Sequence, residues 1–252
     1  MKNVPLLLAS LLAIASPLAA QTIVNLTPMA DTHVREASVN NNYGTTNAIS
    51  IRGTASGNNR YAYLQFDVSS VTEPITGATL TLTLSLSIDA NRTSASELEL
   101  YGLTYATSSE ALALGLESTL TNNNAPWPAV RPNNFQPPAN ATPLLGTVAL
   151  PASGDTGSAV GSSFTFSNTP ALVSLLESAR TGSNSIVTLV LIERVGQGAE
   201  VNFASREHTT YAAPLLTITA GASNIPEPSA AATLGGLAAL AVVASRRGPR
   251  HD

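Results

Sequence analysis

The chain is 252 residues long, 44% hydrophobic and 11% charged, with a net charge of −4 and no cysteine. The missing cysteine excludes disulfides, iron–sulfur clusters and cysteine-ligated zinc. An acidic chain whose single lysine is Lys2 also lacks the basic footprint of a nonspecific nucleic-acid binder.

Lys2 precedes the apolar run 5–18, and Ala19 and Ala20 stand before Gln21. A short positive segment, a brief apolar stretch and a small-residue exit predict a cleaved secretory signal peptide over residues 1–20. Residues 21–221 then read as one all-β domain, long enough to bury a core without staples.

Within that domain, residues 60–68 alternate, with Ala62, Leu64, Phe66 and Val68 on one face and Tyr61, Tyr63, Gln65 and Asp67 on the other. Residues 79–88 alternate as well, Leu80, Leu82, Leu84, Leu86 and Ile88 against Thr and Ser. Period two predicts half-buried strands. Further strands are expected at 48–52, 97–103, 146–150, 163–167, 200–204 and 215–219. The stretch 185–193 is apolar almost throughout and predicts a central strand covered on both sides. One helix is expected after Thr169, with Pro170 at its first position, Leu172, Val173, Leu176 and Ala179 on one face, Arg180 in the last turn and Gly182 at the stop. Residues 122–143, rich in Asn and Pro, predict an irregular surface excursion. About ten short strands without an internal repeat predict a two-sheet antiparallel β-sandwich of jelly-roll type.

The C-terminal segment 222–252 is organised differently. Pro226, Glu227 and Pro228 are followed by a small and apolar run over 229–245, then Arg246, Arg247 and Arg250. The run is near the lower length limit of a transmembrane helix, and the basic cluster would hold the end in the cytoplasm. Motif, span and arginines in this order resemble the PEP-CTERM sorting signal. That resemblance implies processing by an exosortase-type membrane protease, transient residence in the inner membrane, and release or display outside the cell.

Four stretches of the middle domain carry a second resemblance. They are Pro28 to Arg35 with Asn41-Asn42-Tyr43-Gly44; Asn59-Arg60 running to Phe66-Asp67; Leu120-Thr121-Asn122-Asn123 with Pro126; and Ser205-Arg206-Glu207 before Pro214. In this order they resemble the DNRLRE domain, which overlaps with carbohydrate-binding module family 96. The resemblance implies binding of an acidic polysaccharide such as alginate, whose carboxylates need cationic partners. The domain departs from the family in lacking the Trp of the Thr-Trp-Asn-Asn segment and in offering arginine without lysine.

Arg35, Arg52, Arg60 and Arg206 are the candidate carboxylate forks, or else they tie strand ends together by pairing with Asp31, Asp67 and Glu207. Tyr43, Tyr61, Tyr63 and Trp127 are candidate stacking surfaces for sugar rings, or else core. Tyr61 and Tyr63 share a strand face, and Trp127, between two prolines in a polar loop, is expected to be exposed. His33 and His208 lie beside carboxylates but without the spacing of a metal or acid–base set. No catalytic residue and no cofactor is expected. Asp31, Asp67, Asp89 and Asp155 offer oxygen ligands for a structural calcium ion, with no spacing that selects a set. The expected function is noncatalytic glycan binding or association with an extracellular matrix. The alternatives are a purely structural envelope or biofilm protein and a polysaccharide-degrading enzyme.

Overall fold

The computed structural model describes residues 21–130, 134–194 and 198–221. The expected signal peptide, Pro226-Glu227-Pro228, the 229–245 span and Arg246 and Arg247 lie outside these residues. Among the described residues no helix is long and apolar enough to cross a membrane.

The domain is mostly β, with two helices and antiparallel sheets consistent with a β-sandwich. In chain order the elements are β1 (Thr22–Leu26), β2 (Ala30–Arg35), β3 (Ala48–Ile51), β4 (Arg60–Asp67), β5 (Ile75–Thr83), β6 (Ser96–Leu103), α1 (Ser108–Leu112), β7 (Gly146–Leu150), β8 (Ser163–Phe166), α2 (Pro170–Thr181), β9 (Ile186–Ile192), β10 (Val201–Ala204) and β11 (Leu215–Ala220). One sheet has the order β1-β11-β5-β8 and the other β2-β4-β9-β6-β7, while β3 and β10 form a separate ribbon. Leu84 bridges to Phe203 and Arg52 to Arg60, so the ribbon is tied to the end of β5 and to the start of β4.

The main core lies between the two sheets. Leu64, Phe66, Leu100, Leu189 and Leu191 from one meet Leu80, Leu82, Phe166, Leu216 and Ile218 from the other. The alternation of β4 and β5 is what supplies these inward rows. A second cluster covers the outer face of the five-stranded sheet. There Tyr61, Tyr63, Tyr101, Val190 and Ile192 pack with Leu116, Leu120, Trp127 and Ala129 from the long connection between β6 and β7. This double cover explains why β9 is apolar at every position but Thr188 and buried at all of them.

The alternation expected through residue 88 ends earlier. β5 stops at Thr83, and Leu86 is 58% exposed. The Ser- and Asp-containing stretch leaves the ladder after Ser85, whose N–H donates to the Asn202 carbonyl at 2.9 Å. Helix α2 follows its predicted caps: the Thr169 hydroxyl accepts from Leu172 N and donates to the Leu145 carbonyl. Gly182 ends it by close approach, since a Cβ there would lie 2.7 Å from the Ser178 carbonyl oxygen.

Candidate functional site

The pairing of β2 with β4 sets Arg35 directly opposite Arg60. On the other side of Arg60, its backbone N–H and carbonyl exchange hydrogen bonds with those of Arg52 at 2.9 and 3.2 Å. Three arginines therefore stand in one row across three neighbouring chain segments. Like charges directly opposite each other on a sheet are destabilising. Arg60 is buried, donates to Ser50 Oγ at 2.6 Å and ion-pairs with Glu200. Its pKa is lowered, first by burial, and the charges of Arg35 and Arg52 also act downward against the upward pull of Glu200. Arg35 and Arg52 are half-exposed. The Nε atoms of all three are buried without a hydrogen bond, and among the described residues neither Arg35 nor Arg52 forms an ion pair with a carboxylate. Buried donors without a hydrogen bond, beside like charges, carry an energetic cost.

Tyr43 completes the outer side of this row. Its ring stacks on His33 with centroids 4.4 Å apart, and the Arg35 guanidinium lies 5.5 Å from the Tyr43 centroid. The Tyr43 loop is held by its neighbours. Asn42 Nδ2 donates to the Leu116 and Leu120 carbonyls at 2.9 and 2.8 Å. Gly44 is needed because a Cβ there would fall 2.4 Å from Glu117 Cα. Burial raises the Tyr43 phenol, but hydrogen bonds with Ser38 and Asn41 and the Arg35 charge outweigh it, leaving the pKa below its ordinary value. His33 is driven down to about 3, by burial and then by the charges of Arg60 and Arg35. It is therefore neutral at ordinary pH, and an uncharged imidazole can stack against Tyr43 beside two cations.

The aromatic platform expected from Tyr61, Tyr63 and Trp127 is not on the surface. Trp127 is 1% exposed, Tyr61 2% and Tyr63 0%. The segment that reads as a surface excursion folds back onto the sheet instead. Tyr63 Oη donates to the Trp127 carbonyl at 2.6 Å and accepts from Trp127 N at 3.1 Å. Tyr61 Oη donates to the Val130 carbonyl at 3.3 Å. The apolar area of these rings is thus spent on the second core.

Arg206 belongs to a different cluster. Its backbone N–H donates to Asp31 Oδ2 at 2.8 Å, and its Nε lies 2.7 Å from Glu207 and 3.2 Å from Glu117. Its guanidinium also donates to the Met29 carbonyl. The Ser205-Arg206-Glu207 turn therefore clasps β2, as the strand-tying reading expects. Two residues that sequence reasoning did not single out, Arg92 and Glu193, form a fully buried ion pair, and Glu193 Oε2 accepts from Gly53 N at 3.0 Å. An apolar neighbourhood around Arg92 would have been needed to find it, and its own segment is polar. His208 is structural, with Nδ1 accepting from Thr210 N and Tyr211 N.

Three of the candidate calcium ligands, Asp31, Asp67 and Asp89, each have partners of their own. Asp31 faces the Arg206 turn, Asp67 accepts from Ser69 N and Asp89 from Asn91. Among the described residues no group of three or more His, Asp or Glu side chains is placed to hold a metal ion.

A family model described as carbohydrate-binding module family 96 matches residues 22–134. The matched span contains Arg35, Tyr43, Arg52 and Arg60, and it supports a carbohydrate-binding module family for this chain. A comparison with curated proteins found no match.

Proposed function

We propose that the domain is a noncatalytic module that holds an anionic polysaccharide through Arg35, Arg52 and Arg60, with Tyr43 as its flat neighbour. The observation that carries this reading is the cross-strand row of three arginines, of which Arg35 and Arg52 are half-exposed and without a carboxylate partner among the described residues. Planar guanidinium forks match carboxylates in two-point hydrogen bonding, and a uronate polymer presents a carboxylate on each ring. The family match supports carbohydrate as the ligand class. Affinity electrophoresis tests the reading: the 21–221 domain should be retarded in alginate gels, and added salt should reduce that retardation, since exposed charges are screened beyond ~8 Å at physiological ionic strength. Equal retardation in neutral xylan, or a response indifferent to salt, would contradict it.

The purely structural alternative has one observation in its favour, the burial of Tyr61, Tyr63 and Trp127, which removes the expected stacking platform. It predicts no retardation in any gel.

We further propose that the protein is exported, that residues 1–20 are removed, and that an exosortase-type protease cuts near Pro226-Glu227-Pro228, leaving a secreted or surface-attached domain. The order of motif, apolar run and arginine cluster supports this reading. Intact-mass analysis of the extracellular protein should give a species that begins near Gln21 and lacks residues 246–252. An extracellular species retaining those residues would overturn it.

A further inference from the structure

Next to the arginine row lies a cleft of about 410 Å3 lined by Arg52, Thr54, Ser56, Asp89, Asn91 and Glu200. It is contiguous with the row, because Arg52 belongs to both and Glu200 ion-pairs with Arg60. We propose that this cleft is a second subsite, which binds the ring hydroxyls of a pyranose adjacent to the one whose carboxylate the arginines hold. This subsite rests on the arginine-row reading and adds to it the contact with a neighbouring ring of the same polymer.

The lining selects the chemistry. It offers hydroxyls, an amide, carboxylates and a guanidinium, with Ala199 as its aliphatic side chain and no aromatic ring. Asp89 and Glu200 would repel a second carboxylate. Vicinal hydroxyls, each able to donate and accept, match the mixed set of donors and acceptors. The volume lies within the range of small-ligand sites, ~300–1,000 Å3.

The walls are fixed from beneath. Arg92 N donates to the Asp89 carbonyl at 2.9 Å, and its buried side chain pairs with Glu193, which holds Gly53 N. One ion pair thereby joins the turn carrying Asp89 and Asn91 to the turn carrying Thr54 and Ser56. Gly198 N donates to the Gly53 carbonyl at 3.1 Å, which secures the third wall. On the rim, Asp89 Oδ1 accepts from both the backbone N–H and the Nδ2 of Asn91 at 2.7 Å, which orients that amide. Thr54 Oγ1 and Ser56 Oγ are 2.9 Å apart. In the same turn, Asn58 has a φ of 74° and a buried Oδ1 without a hydrogen bond. Asn tolerates that left-handed backbone better than most residues, and with it the turn brings the two hydroxyl side chains to the cleft.

The test compares free mannuronate with a mannuronate tetramer by NMR titration and calorimetry on the 21–221 domain, beside thermal melts. Wild type should bind the tetramer at least tenfold more tightly than the monomer. The double variant Ser56→Ala, Asn91→Ala should lose threefold or more in tetramer affinity, keep monomer affinity within twofold, and melt like wild type, since both residues are exposed. Unchanged tetramer affinity in that variant would overturn the second subsite while leaving the arginine row intact. Failure of wild type to bind either probe would overturn the arginine row and the subsite together.

Discussion

Asp31 and His33 stand two positions apart on β2, and burial moves their proton affinities in opposite directions. Asp31 is raised to about 7, first by burial, helped by the charges of Glu207 and Glu117 and opposed by the Arg206 N–H and charge. From its ordinary 3.8 up to about 7, the folded chain retains a proton that the unfolded chain has lost. Stability therefore falls as pH rises through that window. His33, lowered from 6.5 to about 3, acts oppositely: the unfolded chain takes up a proton that the folded chain refuses, so stability falls as pH drops through that window. Asp31→Asn keeps an oxygen to accept from Arg206 N but removes the titration. Its stability relative to wild type should increase between pH 4 and pH 8, by up to a few kcal/mol, roughly 1.4 kcal/mol per unit of pKa difference. Denaturant melts at a series of pH values measure this directly. Parallel profiles for the two proteins would show that Asp31 is not held neutral in the fold.

At the scale of elements, the connection between β6 and β7 covers the outer face of the five-stranded sheet, with Trp127 as its largest buried side chain. Trp127→Ala should cost ~3–5 kcal/mol, as large aromatic truncations in cores do. Tyr63→Phe should cost ~1–3 kcal/mol, because it deprives the Trp127 carbonyl and N–H of their buried partner. Neither should act by removing an exposed sugar contact, so thermal melts register both. A melting temperature unchanged by Tyr63→Phe would contradict the buried pair. Leu82→Ala, in the main core, should cost ~2–5 kcal/mol, whereas Thr79→Ala on the half-exposed face of β5 should cost well under ~1 kcal/mol.

The same elements show what a sequence discloses. β5, β9 and α2 are legible because period, continuous apolarity or paired caps mark them locally. β2 is not, because Asp31 and His33 put polar side chains inside, and only partners far along the chain make that tolerable. Tyr61 and Tyr63 face away from the main core, which is legible in the alternation of β4. That this face is covered is not, since the covering Trp127 lies 64 positions away. The motif arginines are visible as residue types, but their alignment appears only when register sets Arg35 opposite Arg60.

At the scale of the molecule, the sandwich gathers apolar residues into two cores and gathers three arginines at one edge, where β2, β4 and the β3–β10 ribbon meet; Arg60 pairs with Glu200, and Arg35 and Arg52 have no carboxylate partner among the described residues. The role proposed for this edge is to bind an anionic polysaccharide. The most direct test is the double variant Arg35→Gln, Arg52→Gln in alginate affinity electrophoresis, run beside thermal melts. Both side chains are half-exposed and stand in a row of like charges, so their neutralisation should leave the melting temperature unchanged or slightly raised while retardation is lost. Retardation equal to wild type, or a melting temperature that falls while binding persists, would contradict the account and assign these arginines to the fold.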